Sequence, residues 1–461
     1  MEISTIRSGE PLFEGEEIVC GNMKIFHIVQ GERRFFRTIC KWLANNETEA
    51  MRRNLGFVSE YGRWDDLYTF VGTKLERDAF AIIRKQLELD VQCKAPSLLA
   101  KWLKSENASS RETAWLGNKT RQYLGMSHRQ YRKTLSILRE RIRVLERLMS
   151  ANRWDEIEFD KIPSKAGLIY KNAFARRDII KEKYKAFAED KNTTVNAKAL
   201  YPYEVVDKAM AYGNFGYYYG RPQAGDQELD RKMLEKYWEN LEDFFNGCSF
   251  NGICVADTSG SMYGTPMAVA LSIAMYCAER NIGPFANHFF TFSERPSLVK
   301  IEGIDFVDKV CRMGKADWGN NTNIEAVFDK MLDIAIKNHC SQDDIPQNII
   351  VVSDMEFDYC VTSVRYVDRQ SYGWYHKSYE PANETLFEAI EKKWNSYGYE
   401  MPNLVFWNVD ARQDNIPMKV SGHVSYVSGF SPVIFEQVLK GVTAYDLMYD
   451  KLDSERYAPI G

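Results

Sequence analysis

The stretch of this chain best suited to do chemistry is Asp257-Thr258-Ser259-Gly260-Ser261. It follows the apolar run 252–256, which is typical of a buried strand. Where a strand ends, alternate residues can turn toward one point, so Asp257, Ser259 and Ser261 can converge there. Carboxylate and hydroxyl oxygens suit Mg²⁺, which keeps coordination positions for water or for an oxygen of a partner. The run therefore predicts a site for Mg²⁺ or another divalent cation.

Two more oxygen ligands are predicted at neighbouring strand ends. Thr322 lies in the Gly- and Asn-rich turn 318–323 and presents a hydroxyl where a helix begins. Asp354 directly follows the apolar run 348–353. Taken alone, an Asp-x-Ser sequence is also common as a helix-capping turn, and that alternative applies to the first residue of the site. The complete predicted set leaves one coordination position for a partner's carboxylate: Asp257, Ser259, Ser261, Thr322, Asp354.

These ligands need a sheet whose strands end at a common edge. Apolar runs predict strands at about 250–256, 286–292, 347–353, 402–409 and 423–427. Helices are predicted between and after them, at about 266–280, 304–313, 323–338, 383–396 and 431–439. Such alternation predicts an α/β domain with a doubly wound, mostly parallel sheet over residues 246–461.

The first half of the chain, 1–245, is predicted to be all-α. Apolar residues recur there at three- and four-residue spacing in short segments, which favours stacked antiparallel helix pairs as in an α-solenoid. The clearest helix is predicted over 127–149, with Ser127 as its N-cap. The Gly- and Tyr-rich stretch 212–225 is predicted to be a loop or linker.

Composition limits the class of protein. The chain has 461 residues, 45% hydrophobic and 27% charged, as in soluble proteins of two or three domains. No apolar stretch approaches the ~20 residues that span a membrane. The nine cysteines contain no Cys-x-x-Cys, and the start of the chain shows no signal-peptide pattern. We therefore expect reduced thiols, a cytoplasmic location and no membrane partner.

Charge is distributed unevenly along the chain. The net charge is −4, but residues 101–177 contain 18 Lys and Arg against 8 Asp and Glu. This excess predicts a basic helical surface that binds a polyanion such as RNA through phosphate contacts, although a basic helix face can also be ordinary solvated surface. The candidate contacts are Lys101, Lys104, Arg111, Lys119, Arg121, Arg129, Arg132, Lys133 and Arg139.

A long tract between Asp358 and Pro381 follows the last predicted metal ligand. It interleaves tyrosines and Trp374 with cations such as Arg365 and Arg369. Aromatic and cationic side chains in this arrangement suit stacking on nucleobases, a protein interface, or a packed lid without a ligand. These three interpretations stay open, and we expect only that the tract lies near the metal.

The segment from about 250 to 440 resembles a von Willebrand factor A domain, which has a Rossmann-like fold. The five predicted ligands match the metal-ion-dependent adhesion site of that family. The resemblance implies that Ser259 and Ser261 bind the ion directly. It also implies that Asp257, Thr322 and Asp354 bind directly or through water, and that the ion bridges to a partner rather than activating water.

A helical-repeat region followed by an A domain resembles the TROVE (Ro) family, whose repeats are HEAT-like. The phrase Tyr61-Gly62-Arg63-Trp64-Asp65-Asp66-Leu67 is similar to one that recurs in those repeats. The phrases at 101–107, 162–164 and 353–358 are more similar to an uncharacterised TROVE-like group of viruses, bacteria, amoebae and plants. The Ro family binds structured RNAs and single-stranded ends, which implies a ribonucleoprotein. The shorter helical region leaves open whether it closes a ring.

Three functions follow from these patterns. The first is a non-enzymatic Ro-like RNA-binding scaffold whose A domain binds Mg²⁺ and recruits a partner carboxylate. The second is a protein-protein adaptor that uses the metal site without RNA. A metal-dependent hydrolase is third, because the nucleotide-binding, zinc-protease and serine-hydrolase motifs are absent from the sequence.

Overall fold

The structure is a computed structural model of the whole chain. It describes residues 19–20, 23–24, 33–213, 215, 226–245, 247, 250–292, 296–315, 324–354, 364–371, 374–381, 386–410, 424–430, 449 and 452–460. The chain forms two compact units. We call Gly31–Glu158 with Thr443–Gly461 the helical unit, and Phe159–Val442 with Glu17–Gln30 the α/β unit.

The helical unit contains eight described helices. They are α1 Arg33–Asn46, α2 Thr48–Asn54, α3 Val58–Tyr61, α4 Glu76–Gln92, α5 Leu99–Trp102, α6 Arg111–Leu124, α7 His128–Arg141 and α8 Leu145–Ser150. Short 3-10 helices lie at Leu55–Phe57, Trp64–Phe70 and Trp154–Glu156. One apolar core joins α1–α5 and α7, with Phe70, Phe80 and Tyr131 among its buried rings. In the C-terminal part of the unit, Tyr457 packs on Tyr61, with ring centroids 5.1 Å apart.

The prediction of one continuous helix over 127–149 is wrong, because the structure divides this segment into α7 and α8. The break is at Arg143, whose φ of 49° is not helical. Its guanidinium pairs with Glu156 at 3.3 Å and Glu158 at 3.4 Å. The apolar stripe of α7 nevertheless packs as predicted, since Tyr131, Leu135 and Leu138 are all buried. The spacing of apolar residues does not reveal the break at Arg143, which is accompanied by ion pairs to residues more than ten positions away.

The α/β unit begins with helices and continues into a sheet. Its helices are α9 Ser164–Arg176, α10 Asp178–Glu189, α11 Pro202–Met210, α12 Gln227–Glu239, α13 Thr265–Arg280, α14 Phe306–Met313, α15 Ile324–Lys337 and α16 Leu386–Ser396. Its strands are β1 Val19–Cys20, β2 Met23–Lys24, β3 Gly252–Ala256, β4 His288–Thr291, β5 Leu298–Lys300, β6 Asn348–Ser353, β7 Val364–Ser371, β8 Trp374–Pro381, β9 Asn403–Asn408 and β10 Val424–Ser428.

Six strands form the main sheet, in the order β10-β9-β6-β3-β4-β5. All neighbours are parallel except β4 and β5. From β3 the chain leads to β4 on one side, and later to β6 on the other. The end of β3 is therefore a topological switch point, where open α/β sheets leave a crevice for ligands.

The predicted fold class is confirmed: helices dominate the first half, and the second half carries an α/β sheet with parallel strands. All five predicted strands are present, within two residues at either end. Four of the five predicted C-terminal helices are present as α13–α16, and the fifth, 431–439, lies outside the described residues. The apolar runs identify these strands because both faces of a parallel sheet are covered. The domain boundary at 245 stays a prediction.

No helix in the described part of the chain is long and apolar enough to cross a membrane.

Candidate metal site and basic helix surface

Asp257 extends β3 by one residue at the switch point. Its amide donates to the Val352 carbonyl at 3.0 Å, so the backbone still pairs with β6. The side chain is fully buried. Oδ1 accepts from the Ser259 amide at 2.9 Å, and Oδ2 accepts from the Ser353 hydroxyl at 2.6 Å. These two hydrogen bonds fix the carboxylate at the carboxyl edge of the sheet.

The loop after Asp257 brings the two serines together. The hydroxyls of Ser259 and Ser261 lie 3.0 Å apart and share a hydrogen bond. A 3-10 turn over Gly260–Met262 forms the loop, and the Met262 side chain is completely buried and anchors it. The predicted convergence of these hydroxyls beside Asp257 is thus present in the structure.

Asp354 directly follows β6, the strand beside β3, and is 1% exposed. Burial raises the pKa of Asp257, and the negative charge of Asp354 raises it further. Hydrogen bonds from Ser353 and Ser259 oppose that rise. Two buried carboxylates that repel each other are stabilised by a cation between them, so their charge and donor type fit a divalent ion.

Thr322, the remaining predicted ligand, lies outside the described residues. Within the described residues, no group of three or more His, Cys, Asp or Glu side chains lies close enough to hold a metal. The predicted site does not require such a group, since it combines two carboxylates with three hydroxyls. These donors favour a hard ion such as Mg²⁺ over zinc, which takes nitrogen and sulfur.

Sequence reasoning missed Ser353, which donates to Asp257 across the two strands. Its position beside a predicted ligand was visible in the sequence. What identifies its role is the register, in which Ala256 pairs with Val352 and so places Ser353 opposite Asp257.

Four of the nine predicted RNA contacts are only partly exposed, and their cationic groups contact acceptors within the helical unit. Arg139 donates to the carbonyls of Ala100 at 2.8 Å and Leu103 at 2.9 Å, and to the Ser105 hydroxyl at 3.2 Å. Burial lowers the pKa of its guanidinium. Arg139 therefore holds α7 against α5 and the segment that follows it.

The other three pair with carboxylates. Arg121 lies 2.8 Å from Glu106, a carboxylate that also accepts from His128 at 2.8 Å. Lys119 lies 2.8 Å from Glu76, and Lys104 lies 3.8 Å from Asp65.

Asp65 and Asp66 form a buried acidic pair that the sequence did not single out. Arg37 reaches Asp65 at 3.0 Å and Asp66 at 2.7 Å, and Arg63 reaches Asp65 at 3.1 Å. The guanidinium of Arg63 also covers the ring of Trp102, at 4.2 Å from its centroid. The segment 61–67 therefore contributes two aspartates and an arginine to a network of ion pairs inside the helical unit.

Arg129, Arg132 and Lys133 are exposed near the start of α7. Ser127 caps this helix by accepting from the Gln130 amide, as predicted. We call Arg129, Arg132 and Lys133 the basic stripe. Arg111, at the start of α6, is also exposed, while Lys101 is half-buried beside Trp102. The free N–H groups and dipole of a helix start favour anions, which adds to the positive potential of the stripe.

The aromatic tract contains the hairpin β7–β8, whose backbone pairs Val364 with Pro381 and Ser371 with Trp374. The side chains of these two strands, and residues 359–363, lie outside the described residues. The three interpretations of this tract therefore stay predictions.

Comparisons with known proteins match both halves of the chain. Residues 251–456 match a family described as "Domain of unknown function (DUF7788)", and residues 86–244 match "Domain of unknown function (DUF2828)". The chain is 29% identical over 425 residues to "Uncharacterized protein L728" of Acanthamoeba polyphaga mimivirus, which covers 83% of this chain and 68% of the relative. The predicted similarity to an uncharacterised group that includes viral proteins is confirmed.

The fold is also similar to the crystal structure of the Ro (RSR) protein of Deinococcus radiodurans. That likeness covers 88% of this chain and 87% of the other, with a TM-score of 0.46 and 13% identity.

Proposed function

We propose that the protein is a non-enzymatic RNA-binding scaffold of the Ro type. The observation that carries the proposal is the basic stripe, whose three cations are exposed on one well-formed helix. Lys104, Lys119, Arg121 and Arg139 are only partly exposed and contact acceptors of their own unit. Arg129, Arg132 and Lys133 are exposed on one face of α7, where Arg132 also donates to the His128 carbonyl at 3.3 Å. The resemblance of the sequence to Ro proteins supplies RNA as the polyanion.

The basic stripe binds RNA through phosphates. Such contacts release counterions and carry little sequence information, so affinity falls steeply with salt. The stripe therefore positions an RNA, and selection among RNAs needs further contacts.

The α/β unit has a second role in this proposal. Asp257, Ser259, Ser261 and Asp354, at the carboxyl edge of the sheet, would hold Mg²⁺ together with Thr322, and the family resemblance implies that the two serines would be direct ligands. The ion, when bound, supplies a positive charge for the carboxylate of a protein partner. The hydrogen bonds from Ser353 and the Ser259 amide support this role, because they orient the Asp257 carboxylate before any ion arrives.

The RNA proposal is tested by reversing the basic stripe in the full chain. The variant Arg129→Glu/Arg132→Glu/Lys133→Glu should lose heparin retention and co-purifying RNA. Each phosphate contact to a single strand adds about 0.7 to the slope of log affinity against log salt, so losing three lowers it by about 2.

The matched control reverses three exposed lysines of the α/β unit: Lys185, Lys191 and Lys198. It changes the net charge by the same amount and should retain RNA. Equal losses in the two variants would mean that only net charge matters. If the wild-type protein binds no RNA even at low salt, the scaffold proposal is wrong and the adaptor alternative replaces it.

A further inference from the structure

Trp115 on α6 is the most exposed tryptophan among those whose side chains the structure describes. It is 53% exposed, although α6 is a complete helix with Ser110 as N-cap and Gly125 at its C-terminal end. Single exposed aromatic rings are common on protein surfaces, so exposure alone does not indicate a ligand. The positively charged side chains beside this ring are what point to one.

Two cations lie on the same face of α6 as this ring. Arg111, Trp115 and Lys119 are spaced four residues apart, so they follow one line along the helix, about 6 Å apart. Arg111 is exposed, and the Lys119 ammonium lies 4.9 Å from the centroid of the Trp115 ring. The ring is therefore placed between two positive charges.

Glu76 of α4 holds Lys119 in place. Its carboxylate lies 2.8 Å from the ammonium, and it also accepts from the Tyr123 hydroxyl at 2.6 Å and the Gly72 amide at 2.7 Å. With three donors on one carboxylate, the lysine is oriented beside the indole before any ligand binds.

Trp102 provides an internal comparison. Arg63 covers its ring at 4.2 Å, and its side chain is only partly exposed. Trp115 has a cation beside it as well, but more than half of its surface remains open to solvent. The ring of Trp102 is therefore packed against side chains of its own unit, whereas the ring of Trp115 can contact a ligand.

We propose that Trp115 stacks on an unpaired base of RNA, with Arg111 and Lys119 at the flanking phosphates. The inference rests on the proposed RNA binding and adds specificity to it. Aromatic rings stack on any base that is free of its own stack, whereas duplex RNA offers no such face. Trp115 would therefore favour single strands, while the basic stripe binds both forms.

The test measures binding of the full chain to labelled oligouridylate, alone and annealed to oligoadenylate, at low salt. Trp115→Ala should weaken single-strand binding about tenfold and change duplex binding less than twofold. Trp115→Phe, which keeps an aromatic face, should lose less. Trp42→Ala, which removes another exposed tryptophan of the helical unit, serves as the control and should bind as the wild type does. Single-strand RNA should quench tryptophan fluorescence in the control but much less in Trp115→Ala.

An unchanged single-strand affinity in Trp115→Ala, or an equal loss for both RNAs, would overturn this inference. If the basic-stripe variant still loses RNA in that case, the proposed function survives without it. Failure of the wild type to bind either RNA would instead overturn the proposed function and the stacking site with it. Matching circular dichroism and melting curves establish that the variants fold.

Discussion

The candidate metal site and the predicted basic surface differ in how the structure places their residues. At the carboxyl edge of the sheet, Asp257, Ser259, Ser261 and Asp354 are held by β3, its following loop and β6. On the helices, only part of the predicted set is exposed, and Lys104, Lys119, Arg121 and Arg139 contact acceptors within their own unit.

The difference has a physical cause. Strand pairing fixes where a short Asp or Ser side chain lies to within its own length, so strand ends that meet bring their side chains together. Lys and Arg side chains are long and can turn toward any acceptor within several ångströms. Their partners depend on which helices pack together, and a count of charges along the sequence does not contain that information.

The largest expected effect is on the free energy of unfolding, which should distinguish a cation that holds the helices together from an exposed one. Arg139→Ala removes three donors and leaves the partly buried carbonyls of Ala100 and Leu103 without them. We expect a loss of about 3 kcal/mol in the free energy of unfolding of the helical unit. Arg132→Ala should change it by less than 0.5 kcal/mol, because this side chain is exposed. Urea denaturation of both variants measures the difference, and similar losses would contradict the distinction.

The next largest effect is the stabilisation by Mg²⁺, which tests whether the oxygen ligands of the candidate metal site bind an ion together. Asp257→Ala should abolish the stabilisation by Mg²⁺, which amounts to about 2.7 kcal/mol when the ion exceeds its Kd a hundredfold. The measurement is the shift in melting temperature with and without MgCl₂. Asp410→Asn is the matched control, since Asp410 is an exposed carboxylate two residues beyond β9.

Asp354→Asn gives a second readout at the same site. Burial is the main cause of the raised pKa of Asp257, and this variant removes the smaller contribution from the neighbouring charge, so the metal-free protein should be slightly more stable, while the Mg²⁺ response falls. An unchanged Mg²⁺ response in both Asp257→Ala and Asp354→Asn would refute the metal site.

Much of the fold could be predicted because it depends on local pattern. The strand over 252–256 and the helix that follows it are continuous apolar runs, and they place Asp257 correctly without knowledge of the rest. The break at Arg143 and the 3-10 helix Trp64–Phe70 were not predictable in this way. Each is accompanied by ion pairs with residues elsewhere in the unit, such as Glu156 for Arg143 and Arg37 for Asp66. Apolar periodicity carries no record of such pairs.

The smallest effect concerns the ion pair that orients Lys119 beside Trp115. Partial burial alone would raise the pKa of Glu76, but hydrogen bonds from Lys119, Tyr123 and the Gly72 amide outweigh it and lower the pKa below its usual 4.5. A carboxyl group with a lowered folded-state pKa contributes stability above its unfolded pKa and loses it as pH falls through the folded value. We therefore expect a loss of a few tenths of a kcal/mol below about pH 4.5, typical of a pair near the surface.

Glu76→Gln removes this titration, so its stability should vary less with pH between 5 and 3 than that of the wild type. Glu60→Gln, at an exposed carboxylate of α3, is the control and should keep the wild-type profile. If the inference about Trp115 holds, Glu76→Gln should also weaken single-strand RNA binding by a factor of about two, because Lys119 is then no longer held beside the indole ring. That result would show that a cation with an internal partner still contributes to binding, by orienting the group that contacts the ligand. An unchanged pH profile in Glu76→Gln would show instead that this ion pair contributes nothing measurable to the helical unit.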